Sequence, residues 1–142
     1  MLQALELAKK AFNSNETPVG CVIVENNQII SSAHNETISN NSLLAHAEIL
    51  AIQIACQKKH SSRLENCEIY ITLEPCPMCL SAISFVKIKK IYYGANDLKF
   101  GAVESNPLFS LKNLALHKPE IYSGINSQES INLLTDFFKN KR

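Results

Sequence analysis

At 142 residues with a net charge of +1, from 14 Lys plus Arg against 13 Asp plus Glu, the chain has room for one core of ordinary size. It carries no charge excess to steer it toward nucleic acid or an anionic membrane, so an RNA partner would have to be attracted by local patches. Hydrophobic residues make up 46 %, yet no apolar run approaches the roughly 20 residues that span a bilayer. Met1-Leu2-Gln3-Ala4-Leu5-Glu6 reads as the start of an amphipathic helix and not as a secretion signal. The expectation is one soluble, cytoplasmic domain over residues 1–142. Five cysteines, with Cys76 and Cys79 at ligand spacing, suit reduced thiols better than a disulfide framework. Cys21, Cys56 and Cys67 lie in apolar runs and read as small buried hydrophobes.

Leu2, Leu5, Ala8 and Phe12 recur at helical spacing with Lys9 and Lys10 turned away, so a helix opens the chain and ends at Asn13-Ser14-Asn15 and Pro18. Residues 19–24 are an almost unbroken apolar run, as in a strand buried on both faces. A polar turn at 25–28 leads into a second strand at 29–33, completing a hairpin. Residues 34–42 are a polar, asparagine-rich loop. A helix is expected from Ala45 to residue 56, with His46, Ile49 and Leu50 on one side. On an ideal helix Glu48 would lie about 200° round from His46, so the two can serve one centre only beyond the helix end.

After a polar link, residues 67–73 alternate and form a third strand. It leads into Glu74-Pro75-Cys76, with Pro77 suited to the first position of a helix that covers 78–86. A fourth strand spans 89–94, followed by a polar loop around Asp97 and Gly101. Residues 108–116 fit a short helix or a loop, and 120–124 have the pattern of a fifth strand. A last helix covers 127–139 with Ile131, Leu134, Phe137 and Phe138 as apolar positions, one of the two phenylalanines in the core. This order predicts an α/β fold: a three-layer α/β/α sandwich around a mixed five-stranded sheet with right-handed crossovers.

Two segments carry the chemistry: Ala45-His46-Ala47-Glu48 and Glu74-Pro75-Cys76-Pro77-Met78-Cys79. Zinc favours thiolate and imidazole in tetrahedral geometry, and three protein ligands with one open position are the catalytic arrangement. His46, Cys76 and Cys79 supply that count. Both cysteines fall at a helix start, where free amides and the helix dipole favour thiolates, and Glu48 remains free to move a proton. Taken singly the pieces have plainer readings: His46 as a buried, satisfied histidine, or the Cys-x-x-Cys as part of a closed structural site completed by Cys67 or another histidine. Together they favour the catalytic reading, because each opens a helix at one end of a parallel sheet, where open α/β sheets bind ligands.

The His-x-Glu and Pro-Cys-x-x-Cys pair resembles the signature of the zinc-dependent nucleobase deaminases of the cytidine deaminase superfamily. Within it the resemblance is to the bacterial branch acting on adenosine in tRNA, and it covers nearly the whole chain: Pro18-Val19-Gly20, Asn35, His46-Ala47-Glu48-Ile49, residues 72–79, Tyr93-Gly94-Ala95, Asp97, Lys99, Gly101-Ala102 and Asp136-Phe137-Phe138. It implies a cytidine deaminase-like fold, one Zn2+ per chain on His46, Cys76 and Cys79, and hydrolysis of adenosine to inosine at the wobble position of a tRNA anticodon. By the same match, water activated by the metal attacks C6 of adenine and Glu48 carries its proton to N1 and then to the leaving amine. Asn35 hydrogen-bonds the base, and Val19 and Phe138 wall the pocket. Asp97 and the basic end, Lys139, Lys141 and Arg142, contact the flipped nucleotide and the anticodon backbone. A homodimer engaging the tRNA anticodon arm, with no membrane, is implied.

Without the resemblance, Asn35 reads as a solvated turn residue, Lys87, Lys89 and Lys90 as a strand flank, and the terminal lysines as a solubilising tail. Phe100 departs from the small or polar residue usual at its place, which implies either a different RNA-facing loop or a ring that stacks on a base. Two other functions compete. A free-base guanine or cytosine deaminase shares the zinc motif, and Pro18-Val19-Gly20 and the 97–102 loop stand against it. A non-catalytic zinc module that binds RNA would not need Glu48.

Overall fold

A computed structural model describes residues 1–109 and 116–141. In chain order it contains α1 (Leu2–Asn13), β1 (Gly20–Glu25), β2 (Gln28–His34), α2 (Ala47–Lys59), β3 (Cys67–Leu73), α3 (Pro77–Phe85), β4 (Lys90–Ala95), a 3-10 turn (Pro107–Phe109), β5 (Glu120–Tyr122) and α4 (Ser127–Lys139). The strands form one sheet in the order β2-β1-β3-β4-β5. β1 runs antiparallel to β2 and β3, while β3, β4 and β5 are parallel. Helices α1 and α4 pack together on one face and α2 and α3 on the other. The expected mixed sheet and three-layer sandwich are therefore present. Of the ambiguous 108–116 stretch, residues 110–115 fall outside the described part of the chain.

Two faces of the sheet are filled differently. Toward α2 and α3 point Cys21, Ile23, Cys67, Ile69, Ile71, Ile91 and Tyr93, meeting Ala47, Ala51, Ala55, Leu80 and Ile83 in the main core. On the other face α1 buries a narrow stripe of Ala4, Leu5, Ala8 and Ala11. The helix rides so close to β1 that a Cβ added at Gly20 would overlap the Ala4 carbonyl oxygen and lie 2.7 Å from the Ala8 nitrogen. Small residues are required along that line. Leu5 and Ala8 of the expected stripe are buried, while Leu2 is exposed and Phe12 packs edge-on against Phe137 at 5.8 Å.

A similar close approach turns α4. A Cβ at Gly94 of β4 would meet the Ser130 hydroxyl at 2.5 Å, so α4 buries Ser130 and Phe137. Ile131 and Phe138, expected among its apolar contacts, are exposed instead. One phenylalanine of the pair is thus core, as anticipated, and it is Phe137.

Strand register brings the site's chain segments to one edge. Cys21 pairs with Ile71, and the Gly20 amide donates to the Thr72 hydroxyl at 3.1 Å. The start of β1 therefore lies beside the carboxyl ends of β3 and β4. The loop after β4 is gathered there around a single buried carboxylate. Glu74 accepts the amides of Asp97 (3.0 Å), Val103 (3.0 Å), Glu104 (2.7 Å) and Ser105 (2.9 Å), together with the Ser105 hydroxyl. Gly101 lies directly against that carboxylate, with no room for a Cβ.

Burial raises the pKa of Glu74, but the Ser105 hydroxyl and the amides of Glu104, Ser105 and Asp97 outweigh it and hold the group below 4.5. A folded-state pKa below the unfolded one contributes stability above the unfolded value that is lost as pH falls through the folded value. Glu74→Gln should destabilise the chain by about 1–3 kcal/mol at neutral pH, measured by urea denaturation. The gap from wild type should narrow as the pH is taken below 4.5. An equal gap at all pH values would refute the role of the charge.

Candidate active site

The helix expected from Ala45 begins two residues later. Ala45 and His46 belong to a turn: the Ala45 amide donates to the Ser42 carbonyl at 3.0 Å and the His46 amide to the Leu44 carbonyl at 2.8 Å. His46 is the N-cap of α2, with extended backbone (φ −69, ψ 148). Its side chain is therefore not on the helical wheel, and the 200° separation from Glu48 that an ideal helix imposes does not arise. Glu48 occupies the second helical position. Cys76 repeats the arrangement as the extended N-cap of α3 (φ −73, ψ 170), with Pro77 at the first position and Cys79 at the third. Proline suits that position because its missing amide has no partner to lose there.

Two helix starts thus face each other across the sheet edge. His46 Nδ1 lies 3.7 Å from Cys76 Sγ and 3.5 Å from Cys79 Sγ, and the three donor atoms all fall within 4.8 Å of one another. Bonds typical of zinc to nitrogen and sulfur, at tetrahedral angles, give nitrogen–sulfur edges of about 3.6 Å. The donor set fits a tetrahedral metal ion in type and spacing. Among the described residues no fourth His, Cys, Asp or Glu joins the group, which leaves one coordination position for water or substrate.

The electrostatics agree. The Cys76 thiol is lowered to about 4, chiefly by the Cys79 thiol donating to it and further by the His46 ring and the Cys79 amide, against the opposing effect of burial. Cys79 is pushed up by that same hydrogen bond and by burial, and His46 is raised by its bond to Cys76. Ligation requires neutral imidazole and thiolate sulfur, so a metal ion held by these three donors would release their protons. Glu48 is buried beside them. Desolvation lifts its carboxyl to about 7, against the pull of its own amide and of His46. A carboxyl that titrates near neutrality, close to a metal-binding group but outside it, suits proton transfer.

Of the other anticipated residues, Asn35 is only 6 % exposed and is not a solvated turn residue. Its backbone N–H donates to the Val19 carbonyl at 3.0 Å, and the neighbouring Glu36 N–H donates to the Ala45 carbonyl at 3.0 Å, next to His46. Asp97 caps its own loop, accepting the Lys99 and Phe100 amides at 3.0 Å each. Phe100 stands exposed with the Lys99 ammonium 4.9 Å from its ring centroid. Phe138 and Lys139 are exposed near the end of α4, Lys141 lies over the Phe137 ring at 4.4 Å, and Arg142 is outside the described residues. No hydrogen bond or ring contact among the described residues joins Phe138 or Lys139 to the four-residue centre. Sequence reasoning gave no role to Glu16 or Glu74. Both are buried carboxylates whose partners are backbone amides, for example 22 and 29 residues away, a relation that no periodicity marks.

A family model described as MafB19-like deaminase matches residues 1–142. A tRNA-specific adenosine deaminase of Rickettsia typhi is 50 % identical over 100 % of this chain and 97 % of its own length. A structure from work on A-to-I editing by tRNA:A34 deaminases superposes with a TM-score of 0.89 at 42 % identity, covering 92 % of this chain and 95 % of that one. A guanine deaminase of Bacillus subtilis reaches a TM-score of 0.65 at 38 % identity over 67 % of this chain and 61 % of its own. Full-length identity, the matched fold and the His/Cys/Cys group with its adjacent carboxyl converge: the chain belongs to the MafB19-like deaminases, in the branch of the tRNA-specific adenosine deaminases.

Proposed function

We propose that this protein hydrolyses adenosine to inosine, with release of ammonia, at the wobble position of a tRNA anticodon. The observation that carries the reading is a three-donor group at tetrahedral spacing with the buried carboxyl of Glu48 beside it. The full-length likeness to tRNA-specific adenosine deaminases supports the choice of substrate. The shorter match to a guanine deaminase makes free-base deamination the second reading.

His46, Cys76 and Cys79 hold the metal, taken to be zinc from their chemistry. Zinc bound there supplies Lewis acidity, bringing the pKa of a water molecule toward neutrality. Glu48 takes one proton from the attacking water and gives it to N1 as the oxygen adds to C6 of adenine, then takes the remaining hydroxyl proton and gives it to the amine, which leaves as ammonia while C6 becomes the carbonyl of inosine. Its burial keeps bulk water from competing for that proton. Asn35 and Val19, joined by a backbone hydrogen bond, hold the flipped base. Phe138 walls the pocket with Val19, and Asp97, Lys139, Lys141 and Arg142 meet the flipped nucleotide's sugar and the anticodon backbone. The chain works as one deaminase domain and as a homodimer in the cytoplasm. Exposed Leu43, Leu44 and Phe85, near the metal-binding segments or at the end of α3, support a partner surface there. Among the described residues no helix is long and apolar enough to cross a membrane.

Glu48→Gln should keep one metal ion per chain by native mass spectrometry and lose about 100- to 10,000-fold in inosine formation. Unchanged activity would contradict the proton-transfer role. Wild-type protein incubated with an anticodon stem-loop bearing adenosine at the wobble position should form inosine and release no ammonia from free guanine or cytosine. Ammonia from a free base alone would refute the tRNA reading.

A further inference from the structure

Glu16 precedes β1 in an otherwise unremarked polar stretch, yet it is only 1 % exposed. Its carboxylate accepts the amides of Ile38 (2.9 Å) and Ser39 (2.7 Å), the Thr37 hydroxyl (3.3 Å) and the side-chain amide nitrogen of Asn35 (3.1 Å). Burial opposes ionisation, but the donors of Ser39, Ile38 and Thr37 keep the group below its ordinary value. Glu16 is therefore charged and an acceptor only.

That charge decides which way Asn35 faces. The carboxylate requires the nitrogen end of the Asn35 amide, not the oxygen. Thr37 spends its one hydroxyl proton on Glu16, so its oxygen accepts the second Asn35 Nδ2 proton, at 3.1 Å. Both amide protons are thereby used. No bond among the described residues uses Oδ1, and no buried side-chain oxygen there lacks a partner, so Oδ1 opens to solvent. Backbone bonds from Asn35 to Val19 and from Glu36 to Ala45, the residue before His46, place residue 35 at the edge of the sheet that holds the metal-binding group.

We propose that Glu16 is a positioning residue for the deaminase site: it turns the Asn35 amide so that the substrate meets only the carbonyl oxygen. The proposal rests on the reading of Asn35 as a base contact. An acceptor fixed in this way matches an N–H donor such as the exocyclic amine of adenine. An unrestrained asparagine would offer either end and spend part of its time presenting a donor to that amine.

The test is a double-mutant cycle on the zinc-loaded enzyme with the wobble-adenosine stem-loop. Glu16→Gln, which removes the charge and lets the amide reverse, should lower kcat/KM by about tenfold, the worth of one misdirected hydrogen bond. Zinc per chain should not change. Asn35→Ala should lose at least as much, and Glu16→Gln should cost nothing further in the Asn35→Ala background. Multiplying losses in the double variant would overturn the proposal by making Glu16 a loop scaffold that acts without Asn35. Asn35→Ala at wild-type rate, while wild type still makes inosine, would overturn it by removing Asn35 from the base contact and leaving deamination intact. Wild type itself gives a second readout that does not depend on how the variants fold. The two Asn35 Nδ2 protons should be resolved and slow to exchange by nitrogen-15 NMR, and exchange at the rate of a free asparagine side chain would overturn the proposal as well.

Discussion

Everything in this site depends on two helices starting at the same sheet edge with a donor side chain in the N-cap position of each. An N-cap residue has extended backbone, so its side chain leaves the helix and reaches the space in front of it. His46 and Cys76 both do this, and Cys79, in the first turn of α3, brings its sulfur to the same group. Had His46 lain inside α2, Glu48 would have pointed to the opposite side. The half-turn offset of the helix start turns a His-x-Glu spacing that looks unfavourable on a helical wheel into a donor and a carboxyl beside the same point.

Keeping helix starts and sheet ends together requires ordered loops, and loops bring backbone amides with no strand to pair with. Two buried carboxylates answer this need. Glu74 gathers the amides of 97–105, and Glu16 gathers those of 38 and 39. Each is charged because its donors outweigh the desolvation it suffers. Buried charge is tolerable when fully hydrogen-bonded and costly when a partner is lost. The same balance gives the opposite result at Glu48, where fewer donors leave burial dominant and the carboxyl near 7. Three acidic side chains on one edge thus divide into two structural anions and one group able to hold or release a proton.

Much of this was legible beforehand because it rests on short-range pattern. The alternation of 67–73 and the apolar spacing of 127–139 give element bounds that coincide with β3 and α4, and the layer order follows from strand–helix alternation. What escaped was set by contacts distant in sequence. The start of α2 was misplaced because alanine at 45 and 47 favours helix while the turn at 42–46 is held by main-chain bonds. The expected stripes of α1 and α4 are met only in part, with Leu5, Ala8 and Phe137 inside and Leu2 and Ile131 outside, because Gly20 and Gly94 draw the helices in on small residues. Glu16 has no local signal at all.

The central claim is an open metal site with two sulfur ligands and a carboxyl that stands off from the ion. X-ray absorption at the zinc edge of the metal-loaded protein tests it directly. The account predicts two sulfurs at about 2.3 Å and two nitrogen or oxygen neighbours at about 2.0–2.1 Å, unchanged by Glu48→Gln. A shell of three or four sulfurs, or loss of a light-atom neighbour in that variant, would contradict it.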